Sequence, residues 1–105
     1  MSGSNIYSIL PCVATPGDTT ITTGGTAQNL FAGAIPAHGW AVYNPDASHD
    51  LWVSDSTTAA ANGEGSIRVA ANGGLYETPT NYRPTTFSVS IVGGTTGQKV
   101  TARMW

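Results

Sequence analysis

Apolar and polar residues alternate along much of this chain, and the alternation predicts β-strands rather than helices. The clearest example is residues 86–92, where Phe87, Val89 and Ile91 point to one side of a predicted strand and threonine and serine residues to the other. This pattern is typical of an antiparallel strand with one buried and one hydrated face. No segment carries a convincing helical period, so we predict an all-β chain.

Short apolar runs between turn residues predict the remaining strands. The clearest candidates are residues 6–13, 39–43, 50–54, 66–69, 75–78 and 98–104. Short strands with turns about every eight to twelve residues are typical of a sandwich or a barrel. We therefore predict a single antiparallel β-sandwich, jelly-roll-like, with about eight short strands.

The first residues allow two interpretations. Residues 14–105 form the predicted sandwich domain, and residues 1–13 are either an N-terminal arm or the first strand. The apolar residues of this segment are interface candidates, and they are Ile6, Tyr7, Ile9 and Leu10. As an arm, the segment would add to a sheet edge of its own chain or of a neighbouring subunit. An ordinary first strand accounts for the same residues equally well.

The segment VGGTTGQKVT, residues 92–101, is similar at first sight to a phosphate-binding loop. In that motif the lysine directly follows the second glycine and a helix comes next. Here Gln98 separates Gly97 from Lys99, and an alternating strand pattern follows. We therefore predict a glycine-rich hairpin turn and no nucleotide site. The Asn62-Gly63 and Asn72-Gly73 pairs are hairpin signals of the same kind.

The composition and charge of the chain limit the classes of partner that it could bind. The chain has 105 residues and only 10% are charged, compared with about 25% in ordinary soluble domains. The net charge is -2 and the basic residues are scattered, so we expect neither nucleic-acid binding nor membrane-surface binding. The polar start lacks a signal-peptide pattern, so a bacterial or host cytoplasm is the expected place of synthesis. A weakly charged polar surface would let many subunits pack with little repulsion.

Candidate chemistry is sparse. His38 and His49, with nearby aspartates, could form a metal cluster, but no metal-ligand spacing is present, so we read them as polar loop residues. Cys12 is the one cysteine and lies in an apolar run, where a thiol is usually inert. No serine nucleophile motif occurs. We predict no catalytic, cofactor-binding or metal site, and no enzyme activity.

The aromatic residues offer two interpretations, core packing and ligand stacking. Trp40 and Trp52 lie in predicted strands and are expected in the core. As an alternative, exposed aromatic and acidic residues could bind a glycan, and the candidates are Trp52, Tyr82, Asp46 and Asp50. Trp105 is expected to dock either on its own sandwich or on a neighbour, so it joins the interface candidates.

Several short motifs follow one another from Ile21 to the end of the chain. They are Gly24-Gly25-Thr26-Ala27-Gln28, Gly39-Trp40-Ala41-Val42-Tyr43-Asn44-Pro45, Asp50-Leu51-Trp52-Val53, Gly65-Ser66-Ile67-Arg68, Gly73-Gly74 with Tyr76-Glu77, Thr95-Thr96-Gly97-Gln98, and Thr101-Ala102-Arg103-Met104-Trp105. In this order they resemble small virion proteins of tailed bacteriophages. Residues 1–20 lie outside the resemblance.

The resemblance implies an all-β module bound to a viral shell, and it brings no catalytic residues. The first expectation is a capsid decoration or cement protein on the outside of the head, whose partners are the major capsid protein and copies of itself as a dimer or trimer. The alternatives are a tail- or head-fibre-associated module that recognises a host surface glycan, and a structural component of the neck or tail.

Overall fold

The computed structural model describes residues 15–83 and 85–105. Within them the chain forms nine strands and no helix. The strands are β1 (Thr15–Pro16), β2 (Thr19–Thr20), β3 (Gln28–Asn29), β4 (Trp40–Asn44), β5 (Leu51–Ser54), β6 (Ile67–Val69), β7 (Gly74–Glu77), β8 (Ser90–Gly93) and β9 (Lys99–Met104). The predicted arm or first strand at residues 1–13, with Ile6, Tyr7, Ile9 and Leu10, lies outside the described residues.

The strands form two antiparallel sheets. The first sheet has the order β1-β9-β4-β7, with β2 also paired to β9, and the second has the order β3-β8-β5-β6. β1 and β2 follow the same edge of β9, interrupted where the side chain of Asp18 accepts the N–H of Ala102 at 3.0 Å. The all-β prediction with antiparallel strands is confirmed, and the two sheets enclose one core in a sandwich-like arrangement.

The strand pairs are nested in the sequence. β5 pairs with β6, β4 with β7, β3 with β8, and the β1–β2 edge with β9. Two further pairs, β4 with β9 and β5 with β8, join these nested pairs side by side into the sheets. The chain thus runs out and back as one long antiparallel ribbon that is rolled into two layers.

Alternating residues of both sheets form the core. The buried side chains include Trp40 and Val42 of β4 and Leu51 and Val53 of β5, with Ile91 from β8. The Trp40 and Tyr76 rings pack with centroids 5.1 Å apart. Full burial of an aliphatic side chain stabilises the folded state by about 1.5–3 kcal/mol. The alternating apolar residues of these strands are therefore the ones that stabilise the core.

Two predicted hairpins are wrong in their pairing. The loop after Gly93 joins β8 of the second sheet to β9 of the first, and Asn72-Gly73 joins β6 to β7 across the sheets in the same way. The turn chemistry itself is present, because Asn72, Gly73 and Gly97 have φ angles of 62°, 98° and 86°. Positive φ lets a chain reverse but does not decide which strands then pair.

The predicted strand at residues 86–92 also begins later, at Ser90. The Thr85 hydroxyl accepts the N–H of Phe87 at 3.3 Å and donates to the carbonyl of Asp55 at 2.7 Å. This local bonding forms a turn, a conformation that threonine hydroxyls commonly stabilise. Phe87 is therefore exposed rather than buried with Val89 and Ile91.

A buried pair of amides connects the two sheets at one end. Nδ2 of Asn44, at the end of β4, donates to the carbonyls of His49 at 2.9 Å and Val69 at 3.1 Å. Nε2 of Gln98, just before β9, donates to Oδ1 of Asn44 at 3.2 Å and to the carbonyl of His49 at 3.1 Å. Both side chains are almost fully buried, so these bonds hold the loop before β5 in place.

Candidate functional site

Trp52 lies on the outer face of the second sheet, not in the core as expected. Leu51 and Val53, its neighbours in β5, point inward and are fully buried, so the strand turns Trp52 outward. Its cross-strand partners are Arg68 on β6 and Val92 on β8. The ring is half-buried and forms one wall of a pocket of about 360 Å³.

Loops on either side complete this Trp52 pocket. Its lining residues include Ser48, His49, Asp50, Ala59, Ala60 and Gly94. The loop that carries Ala59 is tied over the sheet, because its N–H donates to Oγ of Ser90 at 2.9 Å. Ser54 binds the same loop through the N–H of Thr57 at 3.0 Å. An aromatic side chain beside a few polar groups is the usual composition of a small-molecule pocket.

The two glycan-candidate aspartates stabilise the rim of this pocket. Asp50 accepts from Nε of Arg68 at 2.8 Å and from the N–H of Ala71 at 3.0 Å, and these bonds lower the pKa of Asp50. Oδ1 of Asp46 accepts the N–H groups of Ser48 at 2.9 Å and His49 at 2.8 Å, and lies 3.0 Å from Nδ1 of His49. These contacts, with the Ser48 N–H first, lower the pKa of Asp46.

Tyr82 does not line the Trp52 pocket. Its hydroxyl donates to Oδ2 of Asp55 at 3.0 Å, and the indole N–H of Trp40 donates to the same oxygen at 3.4 Å. The ring packs against the core, and burial followed by the Asp55 hydrogen bond raises the pKa of Tyr82. Asp55 follows the end of β5 whereas Asp50 precedes its start, so the structure separates Tyr82 from the other candidates.

Trp105 docks on its own chain. Its N–H donates to the carbonyl of Gly39 at 2.9 Å, and its carbonyl accepts from Gly39 at 3.0 Å, which extends the pairing of β4 with β9. The indole covers Gly39, where a Cβ atom would lie 2.9 Å from the ring. The guanidinium carbon of Arg103 lies 5.4 Å from the ring centroid, within cation–π range.

A second exposed surface lies on the first sheet. Its outward side chains are Ala41, Tyr43, Leu75, Glu77, Lys99, Thr101, Arg103 and Trp105, and we call this surface the first-sheet outer face. Ala41 lies at the bottom of an open depression of about 250 Å³ between its larger neighbours. Alternation alone could have indicated that Tyr43 and Arg103 point outward. Their closeness to Leu75 and Glu77 required the register of β7.

The histidines are far apart along β4. His38 lies beside Trp105, just before the start of β4. The carbonyl of His49 instead accepts a hydrogen bond from Asn44 at the end of β4. In residues 15–83 and 85–105, no three His, Cys, Asp or Glu side chains form a group that could hold a metal ion. The same residues contain no helix with the length and apolarity needed to span a bilayer.

Comparisons with protein-family models, curated proteins and solved structures found no match to this chain. The site must therefore be judged on its own geometry. Of the glycan candidates, Trp52 and Asp50 line this pocket and Asp46 supports its rim through Ser48 and His49, but the sequence did not indicate Ser48, His49 or the loop of Ala59 and Ala60 as part of the site. These residues are brought to the pocket by loop folding, for which the sequence carries no periodic signal.

The pH dependence of unfolding tests how far Asp46 and Asp50 stabilise the rim of the Trp52 pocket. Because the folded-state pKa values of Asp46 and Asp50 lie below the unfolded value of about 3.9, their stabilisation is complete above that pH and is lost as the pH falls through the folded values. We expect Asp50→Asn to reduce stability at neutral pH and to flatten its decline between about pH 5 and pH 2. Urea unfolding across this range measures both effects. Glu64→Gln, in an exposed loop, is the control, and identical acid declines for Asp50→Asn and wild type would contradict the expectation.

Proposed function

We propose that this chain is a non-enzymatic structural protein of a bacteriophage, a capsid decoration protein bound to the outside of the head that stabilises contacts between major capsid subunits. We also propose that its fold is a jelly roll. The supporting observation is the nested pairing. With β1 and β2 counted as one edge strand, the first strand pairs with the eighth, the second with the seventh, the third with the sixth and the fourth with the fifth. Jelly rolls of eight strands are the architecture of many viral capsid and lectin domains.

The surface suits such a role. Few charges and many small polar residues allow close packing of neighbours, and many copies on a shell multiply modest contacts by avidity. The proposed contacts to the major capsid protein and to other copies are the segment with Ile6, Tyr7, Ile9 and Leu10, together with Trp105. The Trp105 ring is half-buried, so part of it is available for contact.

Deletion of residues 1–13 tests the contribution of the segment to head binding. We expect the shortened chain to fold and to bind mature heads at least about tenfold more weakly, because an added strand contributes both main-chain bonds and apolar burial. Saturation binding to purified heads measures the change. Phe87→Ala, which trims an exposed apolar side chain elsewhere, is the control. Undiminished saturation by the shortened chain would refute the role of the segment.

The number of copies per virion distinguishes a location on the head from one on the neck or tail. On the order of hundreds of copies per virion would support the head lattice, because decoration follows capsid symmetry. About six or twelve copies would instead support a structural component of the neck or tail. Quantitative mass spectrometry of purified virions gives the count, and absence of the chain from virions would overturn the proposal.

Glycan recognition by a tail- or head-fibre-associated module is the second candidate. The observation that favours it is the Trp52 pocket, where a half-exposed indole lies beside His49 and Asp50 in a space of about 360 Å³. An aromatic face can pack on a sugar ring while polar groups fix its hydroxyls. The Asp50 oxygens are already bonded, so His49 and Ser48 would supply most of the free polar contacts.

A glycan array probed with the wild-type chain and with Trp52→Ala tests this candidate. We expect any specific signal to fall at least about tenfold on loss of the indole, in line with the large share of binding energy that buried aromatic anchors carry. Phe87→Ala removes an exposed aromatic ring outside the Trp52 pocket and should leave the signal unchanged. A chain that binds heads but no glycan would exclude this function.

A further inference from the structure

We infer that the first-sheet outer face binds the same face of a second copy of this chain, forming a dimer with two-fold symmetry. The inference deepens the proposed function, since it rests on a shell protein that associates with its own copies, and it names the surface and the arrangement.

The apolar part of the face is unusually exposed. Leu75 is 66% exposed, more than any other large hydrophobic residue that the structure describes, and Tyr43 is 40% exposed. The two are direct cross-strand partners on β7 and β4, so they form one continuous patch. The partly exposed indole of Trp105 lies on the same face. A contiguous exposed apolar patch of this kind is typical of a protein contact site.

Two opposite charges of this face lie in a single row, and a third charge, Lys99, lies four residues before Arg103 on β9 and outside that row. Ala41 of β4 pairs with Arg103 of β9 on one side and with Glu77 of β7 on the other. Two strand spacings place the Arg103 and Glu77 backbones about 10 Å apart. Neither side chain forms an ion pair among the described residues. The row therefore presents a positive group, a small residue and a negative group in that order.

This order is self-complementary about one axis. A two-fold axis parallel to β4 and lying in the contact plane exchanges the two ends of the row, so Glu77 faces Arg103 of the second copy and Arg103 faces its Glu77. An axis across the strands would instead keep like charges on the same side, where they repel. The charges thus select a face-to-face dimer in which Tyr43 and Leu75 are buried beside two symmetric ion pairs.

The shape of the face fits a flat partner better than a small ligand. The depression above Ala41 is shallow and open, with a volume of about 250 Å³, whereas small-molecule pockets enclose most of their ligand. Sheets that pack face to face lie about 10 Å apart, a gap that side chains such as Tyr43 can fill. The guanidinium of Arg103 is held near the Trp105 ring, so less side-chain entropy is lost on pairing.

Charge reversal and charge exchange test the dimer. We expect sedimentation velocity at about 10–100 µM to show a dimer of the wild-type chain. Glu77→Arg and Arg103→Glu should each weaken the dimer roughly tenfold to a hundredfold, because each turns two attractions into two repulsions. The double variant Glu77→Arg/Arg103→Glu should restore the dimer to within about threefold of wild type, since the two ends of the row are exchanged.

Controls separate this inference from loss of folding and from the proposed function. Glu64→Arg makes the same charge change in an exposed loop and should leave the dimer intact, and circular dichroism checks that each variant is folded. A monomeric wild type, or a double variant that stays dissociated, would overturn the dimer. Head binding is measured separately. A monomeric chain that saturates heads refutes the dimer alone, and a dimeric chain that does not bind heads refutes the decoration role alone.

Discussion

Trp40→Ala lowers the free energy of unfolding by about 4 kcal/mol, the typical cost of removing a buried tryptophan side chain. Trp40 is 1% exposed, packs on Tyr76 and donates its indole N–H to Asp55, so the change creates a cavity and also removes a hydrogen bond of the carboxylate. Domains of this size are stable by about 5–15 kcal/mol, so the variant should be close to unfolding at 37 °C. Urea or thermal unfolding measures the loss.

Trp52→Ala is the matched control, because the same side chain is removed from the outer face of the second sheet. We expect a loss of about 1 kcal/mol, since the half-exposed ring gives up less burial and its neighbours can adjust. Equal losses for Trp40→Ala and Trp52→Ala would contradict the inward and outward assignment of β4 and β5. A small loss for Trp52→Ala also keeps the glycan-binding test interpretable, because the pocket variant stays folded.

Asn44→Ala should cost about 3 kcal/mol, the second of the large effects. The Asn44 amide donates to the carbonyls of His49 and Val69, and its oxygen accepts from Gln98 and from the N–H of Asp46. Each buried group left without a partner costs about 1–3 kcal/mol. The Gln98 amide still reaches the His49 carbonyl, which limits the total. Chemical unfolding at neutral pH gives the value.

Asn29→Ala provides the comparison for this variant. Asn29 is an exposed strand residue whose Oδ1 accepts a 3.4 Å hydrogen bond from the Ser88 hydroxyl, so its loss should cost well under 1 kcal/mol. If Asn44→Ala were equally mild, the amide pair would not be what connects the sheets at this end. Asn44→Ala should also make the loop at His49 less ordered and weaken the binding of any ligand in the Trp52 pocket, because the same hydrogen bonds hold that rim.

The candidate site shows where sequence reasoning succeeds and where it stops. Trp52, Asp46 and Asp50 were proposed as exposed aromatic and acidic candidates, and the structure places Trp52 and Asp50 in one pocket, with Asp46 bound to the backbone of its rim residues Ser48 and His49. Tyr82 was included because of its residue type, but its hydroxyl is bound to Asp55 at the other end of β5. The first-sheet outer face was missed, because Tyr43, Leu75, Glu77 and Arg103 come from three strands whose register no local pattern encodes.

Strand positions and inward-facing residues follow from local alternation, because a residue's side of a strand depends only on its place in a two-residue period. This is enough to predict an all-β chain, most strands from β4 to β9, and buried positions at Trp40, Val89 and Ile91, although it placed Trp52 on the wrong side of β5. Strand partners depend on which faces bury each other once the whole chain has collapsed, and that is a property of distant residues. The glycine-rich turn after Gly93 therefore looked like a hairpin, although tertiary packing sends its two strands into different sheets.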